Sequence, residues 1–138
     1  MKRLLAILWL GLLLSSPIQA QDSTGATVSV LAKADSSWDG TPLPAYPHSK
    51  PEITILRITI PPGTALPLHQ HPVINAGVLL SGQLTVVTED DKKLHLKAGD
   101  ALVEVVSKWH YGKNTGNEPA VILVFYAGCL DTPISVKK

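Results

Sequence analysis

The 138-residue sequence contains one cysteine, Cys129, so no internal disulfide can form and packing alone must stabilise the fold. It has no basic cluster, which argues against nucleic acid as a partner. It has no internal repeat, no low-complexity segment and no helical hydrophobic period, which sets aside solenoids, disordered tracts and bundles. It also lacks an apolar run long enough to span a bilayer comfortably, the longest stretch being Leu4 to Leu14.

That short run has a meaning of its own. It follows Lys2 and Arg3 and leads into "SSPIQA", the three-part pattern of a secretory signal peptide, with cleavage expected after Ala20. No cysteine stands at the cleavage site, so a lipoprotein anchor is excluded. The expectation is therefore a leader at 1–20 and a periplasmic or secreted protein with no membrane contact after cleavage. The remaining 118 residues carry ten Lys and Arg against eleven Asp and Glu, a size suited to one domain with one core. Cys129 follows "VILVFYAG" and reads as a small buried hydrophobe.

Two regions divide the mature chain. Residues 21–51 have little periodicity: "TVSVLAKA" suits a short edge strand, and the prolines and Gly40 of "WDGTPLPAYPHSKP" forbid regular structure. This arm is expected to wrap on the barrel, with Trp38 and Tyr46 covering apolar surface. From 52 to 138 the pattern is strand after strand. "ITILRITI" sets Leu56, Ile58 and Ile60 on one face; "QLTVVTED" turns Leu84 and Val86 inward; "KLHLKAGD" alternates Leu94 and Leu96 against an outward His95. "AVILVFYAG" is apolar at both parities and is expected to be buried on both faces. Strands recurring about every ten residues with turns between them predict an all-β antiparallel sandwich or barrel.

Gly63 to Asn114 carries the chemistry. His69 and His71 are two apart, which on a strand places both rings on one side, and His110 can join them only in a folded sheet. His48 and His95 read as exposed. Gly63, His69-x-His71, Asn75 and Gly82 resemble the first motif of the cupin family, and Gly99-Asp100, His110 and Asn114 resemble the second, with the short spacing of small single-domain cupins. The resemblance covers 52–127. It implies a jelly roll, or double-stranded β-helix, with the site inside the barrel, and a homodimer with the arm as a contact. Asn114 matches the family's structural asparagine. Two positions depart from the pattern: Asn75 stands where glutamate is usual, and Val105 and Ser107 replace the proline and glycine before the second-motif histidine.

His69, His71 and His110 are thus the expected metal ligands, with Asn75 as a fourth member. Three neutral imidazoles suit zinc, manganese, iron, nickel or copper and leave positions open for water or substrate. Export favours zinc or manganese over iron. An asparagine leaves the ion its full charge, which suits an anionic or chelating small molecule. Glu104 shares strand parity with Leu102 and Val106; facing inward it is a fourth ligand or acid–base group, facing outward a rim residue paired with Arg57 or a lysine. Tyr111, beside a presumed ligand, is the expected substrate contact. Known three-histidine cupins include thiol and diketone dioxygenases, so the reading is a metal-dependent dioxygenase, isomerase or hydrolase. The alternatives are a non-catalytic cupin that captures a small anion or sugar, and a structural cupin without metal.

Overall fold

The computed structural model describes residues 25–138; the leader expected at 1–20 lies outside them. Regular structure among these residues is all strand: β1 (Pro51–Ile60), β2 (His69–Gln70), β3 (Ile74–Ser81), β4 (Gln83–Thr88), β5 (Lys93–Lys97), β6 (Ala101–Val103), β7 (His110–Lys113), β8 (Ala120–Cys129) and β9 (Val136–Lys137). They form two antiparallel sheets, ordered β1-β8-β3-β6 and β5-β4-β7-β2-β9. This is the all-β antiparallel sandwich that the strand pattern predicts, in the jelly-roll form that the family resemblance implies.

Strand alternation builds the core. β1 runs against β8 in unbroken register from Pro51 opposite Cys129 to Ile60 opposite Ala120. Inward positions of that sheet, Ile60, Ile122, Val124 and Leu102, meet Leu84, Val86 and Leu96 from the facing sheet. Burying each such aliphatic side chain contributes roughly 1.5–3 kcal/mol. Cys129, at the end of β8, is buried as a free thiol.

Three expectations fail at the surface. "TVSVLAKA" forms no strand, and Val28, Val30 and Leu31 are exposed: alternation alone does not make a strand where no edge is offered to pair with. Trp38 does pack against the core, but Tyr46 is exposed. β8 is central in its sheet, between β1 and β3, yet only its Ile122, Val124 and Tyr126 face is buried; Phe125 on the other face is 45% exposed, because no layer covers it.

Candidate metal centre

Each histidine is placed by a different piece of chain. β2 is only two residues long, but His69 pairs with His110 of β7 on one side and with Lys137 of β9 on the other. His71 follows β2, and its carbonyl accepts the Ser107 N–H at 2.8 Å, which ties it to the loop before β7. The three rings cluster with centroids 4.5 to 5.0 Å apart. One ligand atom from each lies within 4.8 Å of the other two. Nitrogens about 2.1 Å from a common ion sit roughly 3–4 Å apart, so a contraction of about 1–2 Å in the widest spacing closes the site.

The orientation of each ring is fixed from behind. Nδ1 of His69 lies 2.8 Å from the Pro67 carbonyl, Nδ1 of His71 lies 2.7 Å from the Ile134 carbonyl, and Nδ1 of His110 lies 2.8 Å from the Lys108 carbonyl. A carbonyl only accepts, so each Nδ1 carries the proton and each Nε2 keeps its lone pair for the shared centre. Burial lowers the pKa of all three rings; for His71, where the neighbouring histidines add to it, the value falls to about 4. Neutral, pre-oriented imidazoles are the form a metal requires.

This has a measurable consequence for the metal-free protein. Between pH 6.5 and 4 the unfolded chain protonates His71 while the folded chain does not, so acidification favours unfolding. His71 alone is expected to remove roughly 3 kcal/mol over that range. Burial raises the Glu104 pKa, which acts in the opposite sense above about 4.5, so the slope is best read in an E104Q background. Urea unfolding at pH 7 and pH 4.5 in the presence of chelator should show the drop, and His71→Gln should make it shallower, leaving the shares of His69 and His110.

The other expected site residues divide. Asn75 is buried, lines the cavity and donates weakly to the Val73 carbonyl at 3.4 Å. Glu104 faces inward, 8% exposed, with Oε2 3.8 Å from His110 Nε2; it pairs with neither Arg57 nor a lysine. Tyr111 follows His110 on β7, so alternation turns it to the opposite face, and it does not line the cavity. Tyr126 lines the cavity instead. It sits opposite Asn75 on β8, its ring 5.4 Å from that of His71. Burial, reinforced by Glu104, pushes its phenol up to about 12, so it remains a hydrogen-bond donor. Sequence parity did not reveal it because β8 is apolar at every position.

Ser107 occupies a left-handed turn, φ 53°, at the position where the second motif usually has glycine. A side chain there costs about 1–2 kcal/mol, partly offset by glycine's extra freedom in the unfolded chain. Ser107→Gly is expected to gain up to about 1 kcal/mol in a denaturant titration without altering the three rings.

The rings stand in a cavity of about 60 Å³ lined also by Ile60, Val86, Glu104 and Tyr126. Past His69, His71 and Tyr126 it meets an outer mouth of about 240 Å³, walled by Leu56, Pro67, Ile134 and Lys137. The inner chamber takes an ion and a few small atoms; the mouth has room for a small organic molecule.

A family model described as "Cupin domain" matches residues 56–126. No curated protein sequence matches the chain. Among solved structures, oxalate decarboxylase of Bacillus subtilis, studied for its Mn(II) centres, is 29% identical with a TM-score of 0.52, over 62% of this chain and 23% of that one. DMSP lyase DddQ of Ruegeria pomeroyi is 24% identical with a TM-score of 0.55, over 72% of this chain and 47% of that one. A conserved protein with a double-stranded β-helix domain from Klebsiella pneumoniae is 20% identical with a TM-score of 0.55, over 66% of this chain and 86% of that one. The chain therefore spans about a quarter of the oxalate decarboxylase and about half of the lyase.

Proposed function

This chain belongs to the cupin family, and from that premise and its three convergent imidazoles we propose that it holds one divalent transition metal and uses it on a small oxygenated or anionic molecule. The observation that carries the reading is the set of three Nδ1–H donors locked onto backbone carbonyls, which leaves three Nε2 lone pairs facing one point. A bound divalent ion would supply a Lewis acid there, with manganese or zinc the preferred identities.

The chain's own residues suit such a ligand. The mouth is mainly apolar and carries one cation, Lys137, which favours a compact anion over a neutral sugar. Tyr126 stands between mouth and chamber as a protonated phenol, able to donate to an oxygen of the incoming molecule. Glu104 is the carboxylate that lines the chamber. Oxalate decarboxylase and oxalate oxidase, both similar in fold, are named for a small dicarboxylate, which makes short carboxylates the first substrates to try. The site of action is proposed to be the periplasm or the exterior. A homodimer is proposed through the outer sheet face, where Ile53, Ile55, Leu80 and Phe125 are exposed, with sedimentation at micromolar concentration as its check.

Elemental analysis of protein purified without an affinity tag is expected to give close to one transition-metal ion per chain. Turnover or oxygen uptake by the loaded protein with short carboxylates distinguishes an enzyme from a binding module. If the triple variant H69A/H71A/H110A retains as much metal as the unaltered protein, the proposal fails.

A further inference from the structure

The carboxyl group of Glu104 is held asymmetrically. Its Oε1 accepts two hydrogen bonds, from the Trp38 indole N–H at 2.8 Å and from the Val105 backbone N–H at 2.9 Å. Its Oε2 accepts none. It lies 3.8 Å from His110 Nε2, one of the three nitrogens that face the shared centre. A carboxylate 92% buried, with one oxygen saturated and the other aimed into a cavity, calls for a counter-charge at the open oxygen. No lysine or arginine lines that chamber. The point onto which the histidines converge is where a cation would meet it.

Asn75 is the weaker candidate for the same place. Its amide is neutral, and its hydrogen bond to the Val73 carbonyl is long, 3.4 Å. The two residues are neighbours in the sheet, because the Glu104 N–H donates to the Asn75 carbonyl at 3.0 Å. A carboxylate entering from the strand next to Asn75 can therefore reach the same centre.

We propose that Glu104, rather than Asn75, is the fourth protein ligand of the metal, and that Trp38 of the N-terminal arm is the positioning residue that turns one carboxylate oxygen toward it. This makes Glu104 a ligand instead of a free acid–base group. It also gives the arm a part in the site. The arm is fastened around Glu104 at several points: Ser37 Oγ donates to the Glu104 carbonyl at 2.9 Å, the Trp38 N–H donates to the Val103 carbonyl at 2.9 Å, and Asp39 pairs with Lys108 at 2.7 Å. The proposal rests on the metal-binding reading above.

Cobalt(II) titration of the full mature chain tests it, following both affinity and the visible d–d spectrum. E104Q is expected to weaken cobalt binding by 100-fold or more and to change the spectrum, whereas N75A keeps the wild-type spectrum and stays within a few-fold in affinity. W38F, which keeps the ring but removes the donor, is expected to lose about 10-fold, as supporting groups around a metal typically do. That loss should disappear in the E104Q background, a non-additivity that general loosening of the arm would not produce. Circular dichroism melts of each metal-free variant confirm folding; glutamine at 104 keeps the shape without the charge. If the unaltered protein takes up no cobalt, the metal reading itself fails. If it binds cobalt and E104Q matches it in affinity and spectrum, or if N75A rather than E104Q changes the spectrum, the assignment of Glu104 is overturned. Additive losses in W38F/E104Q would overturn the role given to Trp38.

Discussion

Replacing His110 with alanine is expected to cost at least 100-fold in transition-metal affinity while leaving a folded barrel. His110 is 2% exposed, and its Nε2 is the nitrogen that lies near both the other rings and Glu104. Four-ligand structural zinc sites gain about 10–16 kcal/mol from binding, so one ligand is worth roughly 3 kcal/mol, or somewhat over 100-fold. The fold should survive because the lost ring borders an existing cavity instead of filling close-packed core, and it leaves one backbone acceptor, the Lys108 carbonyl, to be satisfied by water. His95→Ala is the matched control. That residue is exposed on β5, touches the Thr85 hydroxyl at 3.0 Å and lies outside the cavity, so its loss should leave metal affinity unchanged. Calorimetric titration of the two variants with manganese or zinc reads the difference directly. Equal affinities would mean that the three rings do not share an ion.

What the sequence could and could not reveal follows from the physics of strands. Alternation in "ITILRITI" and the two-residue spacing of His69 and His71 carry direction directly, so the inward face of β1 and the shared side of two histidines were legible. Tyr111 lies on the far side despite its nearness in sequence to His110, because the same alternation sends adjacent residues to opposite faces. On β8, where alternation has no polar marker, parity does not tell which of Phe125 and Tyr126 faces the cavity. The carbonyls of Pro67, Lys108 and Ile134 that orient the rings are backbone groups, and no side-chain pattern announces them. The role of Trp38 needed the fold as well, since it bonds to a residue 66 positions away.

Gly82→Ala is expected to be the most destabilising single-methyl change in the barrel, at about 3–5 kcal/mol. Gly82 is the single residue between β3 and β4, where the chain leaves one sheet for the other, and it has φ 74°. A Cβ there would lie 2.6 Å from the Pro119 carbonyl oxygen and 2.8 Å from Ala120 Cα. Both obstacles are backbone, and Ala120 is fully buried at the start of the central strand β8, so neither can swing aside. Gly63 and Gly99 separate the two contributions. They share the left-handed conformation, with φ 71° and 92°, but a Cβ at either meets nothing within 4 Å. Their alanine variants should lose only the conformational part, about 1–2 kcal/mol. Thermal unfolding of the three variants should therefore put Gly82→Ala clearly below the other two; three equal losses would show that the crowding at Pro119 and Ala120 relaxes without cost. Metal affinity measured on the folded fraction, well below the transition, should remain near normal in all three. The glycines hold the corners of the barrel, whereas the proposed ion site is built from rings whose own hydrogen bonds lie elsewhere.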